Sequence, residues 1–263
     1  MIALNIEDSH KHLLGISKEF DRICTKYNIP YYMIGGTLLG AIRHKGFIPW
    51  DDDMDFGVPI NYYEKLVSVL GSELKYPYRL CSYKNTKGCL TPYAKIEDVT
   101  TCIVDKCQNL PINEQIGLNI DLFPLVYCER NFICRIFTLV YHLFTKIYAE
   151  SMTGSKKKRL IKRILRKIFP VSKRKFQDLI WKLTFNIKGQ SYLANLYGLA
   201  GKREFIPVSF YGEGVRCNFE DTQFLAPLKF HEYLTQIFHD YMKLPPIEKR
   251  KVHSEHVYLK DKN

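Results

Sequence analysis

One stretch constrains the chain more than any other: residues Tyr31 to Pro59, which read YYMIGGTLLGAIRHKGFIPWDDDMDFGVP. Tyr31, Tyr32, Met33 and Ile34 are bulky and suit a buried strand. Gly35 and Gly36 lack a Cβ, so the backbone there can approach a ligand before the helix that the pattern predicts from Thr37. A helix N-terminus entered through glycines presents free N–H groups to an anion. Asp53 and Asp55 then flank Met54. Side chains alternate along a strand, so both carboxylates are expected on one face, with Met54 and Phe56 in a core. Two carboxylates that close repel each other unless a cation lies between them, and Mg²⁺ or Mn²⁺ prefers such oxygen ligands. Asp51 and Asp52 precede the pair, either as outer contributors to that site or as a solvated turn after Pro49.

Two further residues stand out for the company they keep. Residues 116–125, IGLNIDLFPL, read as an apolar strand interrupted by a single acid, Asp121. Burying a carboxylate costs stability, which points to a metal-binding or proton-accepting role. Lys95 lies among apolar residues in YAKIEDVTT, as an exposed strand lysine or as a contact for an anion.

The run GGTLLGAIRHKGFIPWDDDMDFGVP resembles the signature of the LicD family, the phosphocholine transferases of bacterial cell-surface glycans, to which the fukutin-type transferases are related. The spacing from Gly36 to Asp53 is longer than in nucleotidyltransferases generally, and LicD-like sequences share that longer spacing. The C-terminal part is also similar to the family, at Phe219-Glu220, Pro227, Tyr233-Leu234 and the DYMKLPP run from Asp240. The resemblance implies an α+β fold: a nucleotidyltransferase-like mixed sheet flanked by helices. It also implies a metal site of Asp53, Asp55 and Asp121, the last matching the family's third acid. Gly35, Gly36, Thr37, Arg43, Lys45 and Lys95 are then expected around the donor phosphates.

If the resemblance extends to substrate, the donor is CDP-choline, phosphocholine is transferred to a glycan hydroxyl, and CMP leaves. The acceptor class is a teichoic acid, lipopolysaccharide or capsule precursor, lipid-linked. Another CDP-alcohol, carrying ribitol or glycerol, is the nearest alternative donor. A quaternary ammonium has no N–H and is held by aromatic faces, for which Trp50 is the candidate nearest the motif.

The charge distribution bears on partners. The net charge is +12, yet residues 155–175 hold eleven of the 39 Lys and Arg with no acid, which leaves 28 bases against 27 acids elsewhere. Leu160, Ile161, Ile164, Leu165 and Ile168 sit among those cations at helical spacing, after an apolar helix over 131–150 that Arg135, His142 and Lys146 interrupt. Cations on an amphipathic helix suit an anionic membrane surface, here residues 131–175, better than nucleic acid, whose readers interleave basic and stacking residues. No apolar run is long enough to span a bilayer. The start of the chain does not read as a signal peptide, and its eight cysteines show no Cys-x-x-Cys. The expected location is cytoplasmic, peripheral on the inner face of the membrane. The chain divides into a catalytic core (1–127), a basic helical insertion (128–204) and a C-terminal part (205–263) that completes the catalytic domain.

Overall fold

The computed structural model describes residues 1–86, 89, 91–104, 114–148, 172–250 and 256–261. Seven strands form a mixed sheet. Its path runs β2 (Tyr32–Met33), β3 (Asp55–Pro59), β7 (Asn119–Cys128), β5 (Ala94–Asp98) and β4 (Tyr78–Cys81). From the second half of β7 the sheet continues into β8 (Tyr192–Asn195) and β9 (Phe205–Pro207). β3 and β7 run parallel, while the other neighbours are antiparallel. β7 is apolar on both faces except at Asp121 and its ends. Ile120, Leu122, Leu125 and Val126 are fully buried, which lets it serve as the central strand.

Helix α1 (Ile6–Lys26) covers one face. It lays Leu13, Ile16, Phe20 and Ile23 against the sheet, all fully buried, each contributing about 1.5–3 kcal/mol. Phe20 meets Phe56 of β3 with ring centres 5.0 Å apart. Helices α2 (Gly35–Arg43) and α3 (Ile60–Glu73) flank β3 in sequence, and α4 (Phe132–Tyr148) and α5 (Lys173–Asn186) come from the expected insertion. The short α6 (Val208–Tyr211), the hairpin β10 (Val215–Phe219) with β11 (Thr222–Ala226), and α7 (Phe230–Phe238) follow. A small second sheet joins β1 (Ile2–Ala3), β12 (Val257–Leu259) and β6 (Thr101–Ile103).

Several boundaries differ from the sequence pattern. Asn5, rather than Asp8 or Ser9, caps α1, its side chain accepting the Asp8 N–H at 2.8 Å. α2 starts at Gly35, two residues before Thr37, and Gly35 takes a φ of +54°, which a residue without Cβ adopts freely. β3 begins at Asp55, so Asp53 lies in the preceding loop and strand alternation positions Asp55 alone. β8, from within 128–204, pairs with β7 in the central sheet. The basic run 156–168 lies outside the described residues.

Candidate active site

The site grows from one register. Asp55 on β3 is the partner of Asp121 on β7, and Lys95 on β5 is the partner of Asp121 from the other side. Three adjacent strands therefore carry acid, acid and base in a row. The Lys95 ammonium pairs with Asp121 Oδ1 and donates to Asn119 Oδ1 at 3.1 Å, while the Tyr93 hydroxyl donates to Asp121 Oδ2 at 3.2 Å. The Gly35–Gly36 turn abuts the end of this row. A Cβ on Gly36 would stand 2.7 Å from Asp51 Oδ2, and one on Gly35 would stand 3.4 Å from Asp55 Oδ2. Glycine is needed here because carboxylates crowd the backbone. Thr37, which is buried, accepts the Asp55 N–H on its hydroxyl at 2.7 Å and so locks the turn to β3.

The electrostatics are those of acids with too little compensating charge. Burial, then the charges of Asp53, Asp121 and Asp51, hold the Asp55 carboxyl well above its ordinary value, with Lys95 opposing. Burial, then the charge and hydrogen bond of Asp53, push Asp51 up to about 8. Burial lowers the affinity of Lys95 for its proton, but Asp121 overrides this and leaves the ammonium above its usual value. Such a set suits a hard divalent cation. Among the described residues, no three His, Cys, Asp or Glu side chains form a closed ligand set. Mg²⁺ usually takes one or two carboxylates and completes its shell with substrate phosphates and water, so the residues present fit it.

The family model described as LicD/FKTN/FKRP, nucleotidyltransferase domain, matches residues 28–183, more than half of the chain. The chain belongs to this LicD family. Over 96% of its length and 97% of the relative's, it is 29% identical to the lipopolysaccharide cholinephosphotransferase LicD of Haemophilus influenzae. An uncharacterised protein of Rickettsia prowazekii is 50% identical over 46 residues, 18% of this chain and 17% of that one. Among solved structures, terminal uridylyl transferase 4 from Trypanosoma brucei with bound GTP overlaps 52% of this chain and 41% of its own, at 14% identity and a TM-score of 0.24.

Within this LicD-family site the expected residues separate into two groups. Gly35, Gly36, Thr37, Asp53, Asp55, Lys95 and Asp121 come together, and Asp51, left open by the sequence, joins them. The other cations go elsewhere. Arg43 donates to the Tyr241 carbonyl at 2.9 Å, tying α2 to the C-terminal segment. Lys45 is exposed and lines a separate groove with Cys217, His231 and Tyr241. Trp50 already carries a cation, the Arg250 guanidinium lying 4.8 Å from its ring centre. His44 stands edge-on to the same ring at 6.2 Å.

Three tyrosines reach this neighbourhood in ways the motifs did not single out. Tyr93 bonds Asp121, as above. The Tyr233 hydroxyl, from α7, accepts the Gly35 N–H at 3.4 Å. Tyr141 of α4 packs edge-on to Tyr197 at 4.9 Å, and Tyr197 packs on Tyr93 at 5.6 Å. Tyr93 opens the YAKIEDVTT run that carries Lys95, and Tyr233 lies in the family-like C-terminal part. Tyr141 gave no signal, since it sits in a segment that reads only as an apolar helix.

Proposed function

We propose that this LicD-family phosphotransferase moves phosphocholine from CDP-choline to a hydroxyl of a lipid-linked cell-surface glycan of the lipopolysaccharide class. The observation that carries this is the nearly end-to-end match with a lipopolysaccharide cholinephosphotransferase. Asp53 and Asp55, with Asp121 beside them, would hold Mg²⁺ or Mn²⁺, which when bound neutralises the charge of the donor diphosphate. Asp51 and Asp55 approach the first turn of α2, so a diphosphate meets the N–H groups there only together with a cation. Lys95 and the Tyr93 hydroxyl hold the Asp121 carboxylate in place through its two oxygens. Asp121 accepts the proton of the acceptor hydroxyl while that oxygen bonds to the phosphorus of phosphocholine. The bond from this phosphorus to the CMP oxygen breaks, and CMP leaves.

The enzyme works at the inner face of the cell membrane, with residues 131–175 toward anionic lipid. No helix among the described residues is long and apolar enough to cross a membrane, and the eleven Lys and Arg of residues 155–175 suit contact with an anionic surface. Purified protein with Mg²⁺ and lipopolysaccharide, offered CDP-choline, CDP-ethanolamine, CDP-glycerol and CDP-ribitol in turn, tests the donor through CMP release. A preference for CDP-choline is expected. A polyol preference would refute phosphocholine transfer and leave the metal site standing.

A further inference from the structure

Helix α4 has two faces with different neighbours. Inward, Cys134, Phe137 and Tyr141 are buried, and Tyr141 reaches Asp121 through the ring contacts with Tyr197 and Tyr93. Outward, Phe132, Ile136, Leu139 and Leu143, three or four residues apart, are 74%, 41%, 67% and 55% exposed. Leu199, on the loop after β8, is 92% exposed beside them. A soluble surface seldom leaves so many large aliphatic side chains together without a partner.

Between α4 and residues 199–205 lies a groove of about 590 Å³. That volume falls inside the roughly 300–1,000 Å³ typical of small-ligand sites. Phe132, Ile136, Leu139 and Leu199 form its apolar wall. Arg135, Lys146 and Lys202 stand at its rim, and among the described residues no carboxylate lines it. Arg135, Leu139, His142 and Lys146 follow one another at helical spacing, so the cations border the apolar stripe along its length.

The charge decides among occupants. A second copy of the chain would bring the same cations against these. Residues 156–168, rich in Lys and Arg, would do the same. An anionic amphiphile satisfies both the wall and the rim. We propose that this groove binds the lipid anchor of the acceptor, a hydrocarbon chain lying between α4 and Leu199 with its phosphate among the cations of the rim. That the occupant is the acceptor's anchor rests on the transferase reading above. That the groove takes a single anionic chain does not.

The test titrates the full-length protein with dodecyl phosphate below its micelle concentration, by calorimetry. Dodecyltrimethylammonium and inorganic phosphate are run in parallel. Saturable one-to-one binding of dodecyl phosphate is expected, at least tenfold tighter than either comparison. Leu139→Asp and the pair Arg135→Gln with Lys202→Gln should each weaken it at least tenfold, with unchanged circular dichroism, since these side chains are exposed. No saturable binding, or equal affinity for all three probes and all variants, overturns the proposal. Binding only to vesicles of phosphatidylglycerol, with none to the monomeric amphiphile, makes the face a bilayer contact and overturns it as well. So does a dimer in sedimentation that Leu139→Asp dissolves. If wild type binds dodecyl phosphate but transfers nothing to lipopolysaccharide, the groove stands and the transferase reading fails. If Leu139→Asp loses binding yet uses lipopolysaccharide as well as wild type, the groove does not hold the acceptor.

Discussion

Asp55 and Asp121 are register partners across the parallel strands β3 and β7, two acids that neighbouring backbones force side by side. Lys95 opposes Asp121 from β5 and occupies one of its oxygens. The row is thus short of positive charge on the Asp55 side, where Asp51 and Asp53 also crowd, and this is where a divalent cation and its diphosphate would be most stabilised.

Replacing Asp55 with Asn is expected to reduce CMP release on the order of 10³-fold, because a metal ion supplies several kcal/mol of charge stabilisation. The variant should melt no lower than wild type in EDTA, since it removes a carboxylate that its neighbours repel. Turnover near wild type, in the variant or in wild type with excess EDTA, would remove the metal from the mechanism.

Asp121→Asn is expected to slow transfer on the order of 10²-fold or more if Asp121 accepts the acceptor's proton. KM for the donor should move much less than kcat. A variant at nearly full rate would reduce Asp121 to the structural partner of Lys95.

Thr37 tests how the turn positions Asp55. Thr37→Val leaves the Asp55 N–H without its acceptor, and the expected loss is about 1–3 kcal/mol of stability together with activity. Thr37→Ser keeps the oxygen and should retain most of both. Denaturant melts and CMP release on the pair separate the hydroxyl from the methyl group, and equal behaviour of the two variants would deny the hydrogen bond this role.

Glu204 predicts a pH dependence away from the carboxylate row. Burial raises its carboxyl from 4.5 to about 7, against the Ala200 N–H and Arg203, which favour the charged form. A folded-state value above the unfolded one contributes stability that is complete below about pH 4.5 and is lost as pH rises through about 7. Glu204→Gln keeps an oxygen for the Ala200 N–H, which the carboxylate accepts at 3.1 Å. The variant should match wild type near pH 4 and exceed it near pH 8, by up to a few kcal/mol. A difference in melting that does not change with pH would contradict the assignment.

Local pattern made much of this protein legible. Gly35 and Gly36 mark a turn whatever surrounds them, because only a residue without Cβ tolerates that backbone and that crowding. A lone acid in an apolar strand, Asp121, and a lysine among apolar residues, Lys95, announce themselves by the cost of burying charge, and the structure pairs them. The long resemblance to LicD sequences then assigned the fold, since the spacing of these local signals is itself a property of the chain.

Tertiary structure decided what depends on residues distant in sequence. Nothing in DDDMD says that Asp51 turns in toward Gly36 or that Asp53 stays off the strand, because loop carboxylates go where neighbouring backbones leave room. Arg43 reads as a phosphate ligand beside the motif, yet the Tyr241 carbonyl, almost two hundred residues later, takes its guanidinium. Arg250 likewise comes to rest over Trp50. Tyr192–Asn195 extends the central sheet from inside a segment that reads as a helical insertion, because the far half of β7 leaves an edge to be paired. Sequence spacing sets which face of an element a side chain occupies, but which faces meet, and so which charges must share a site, is decided by packing across the whole fold.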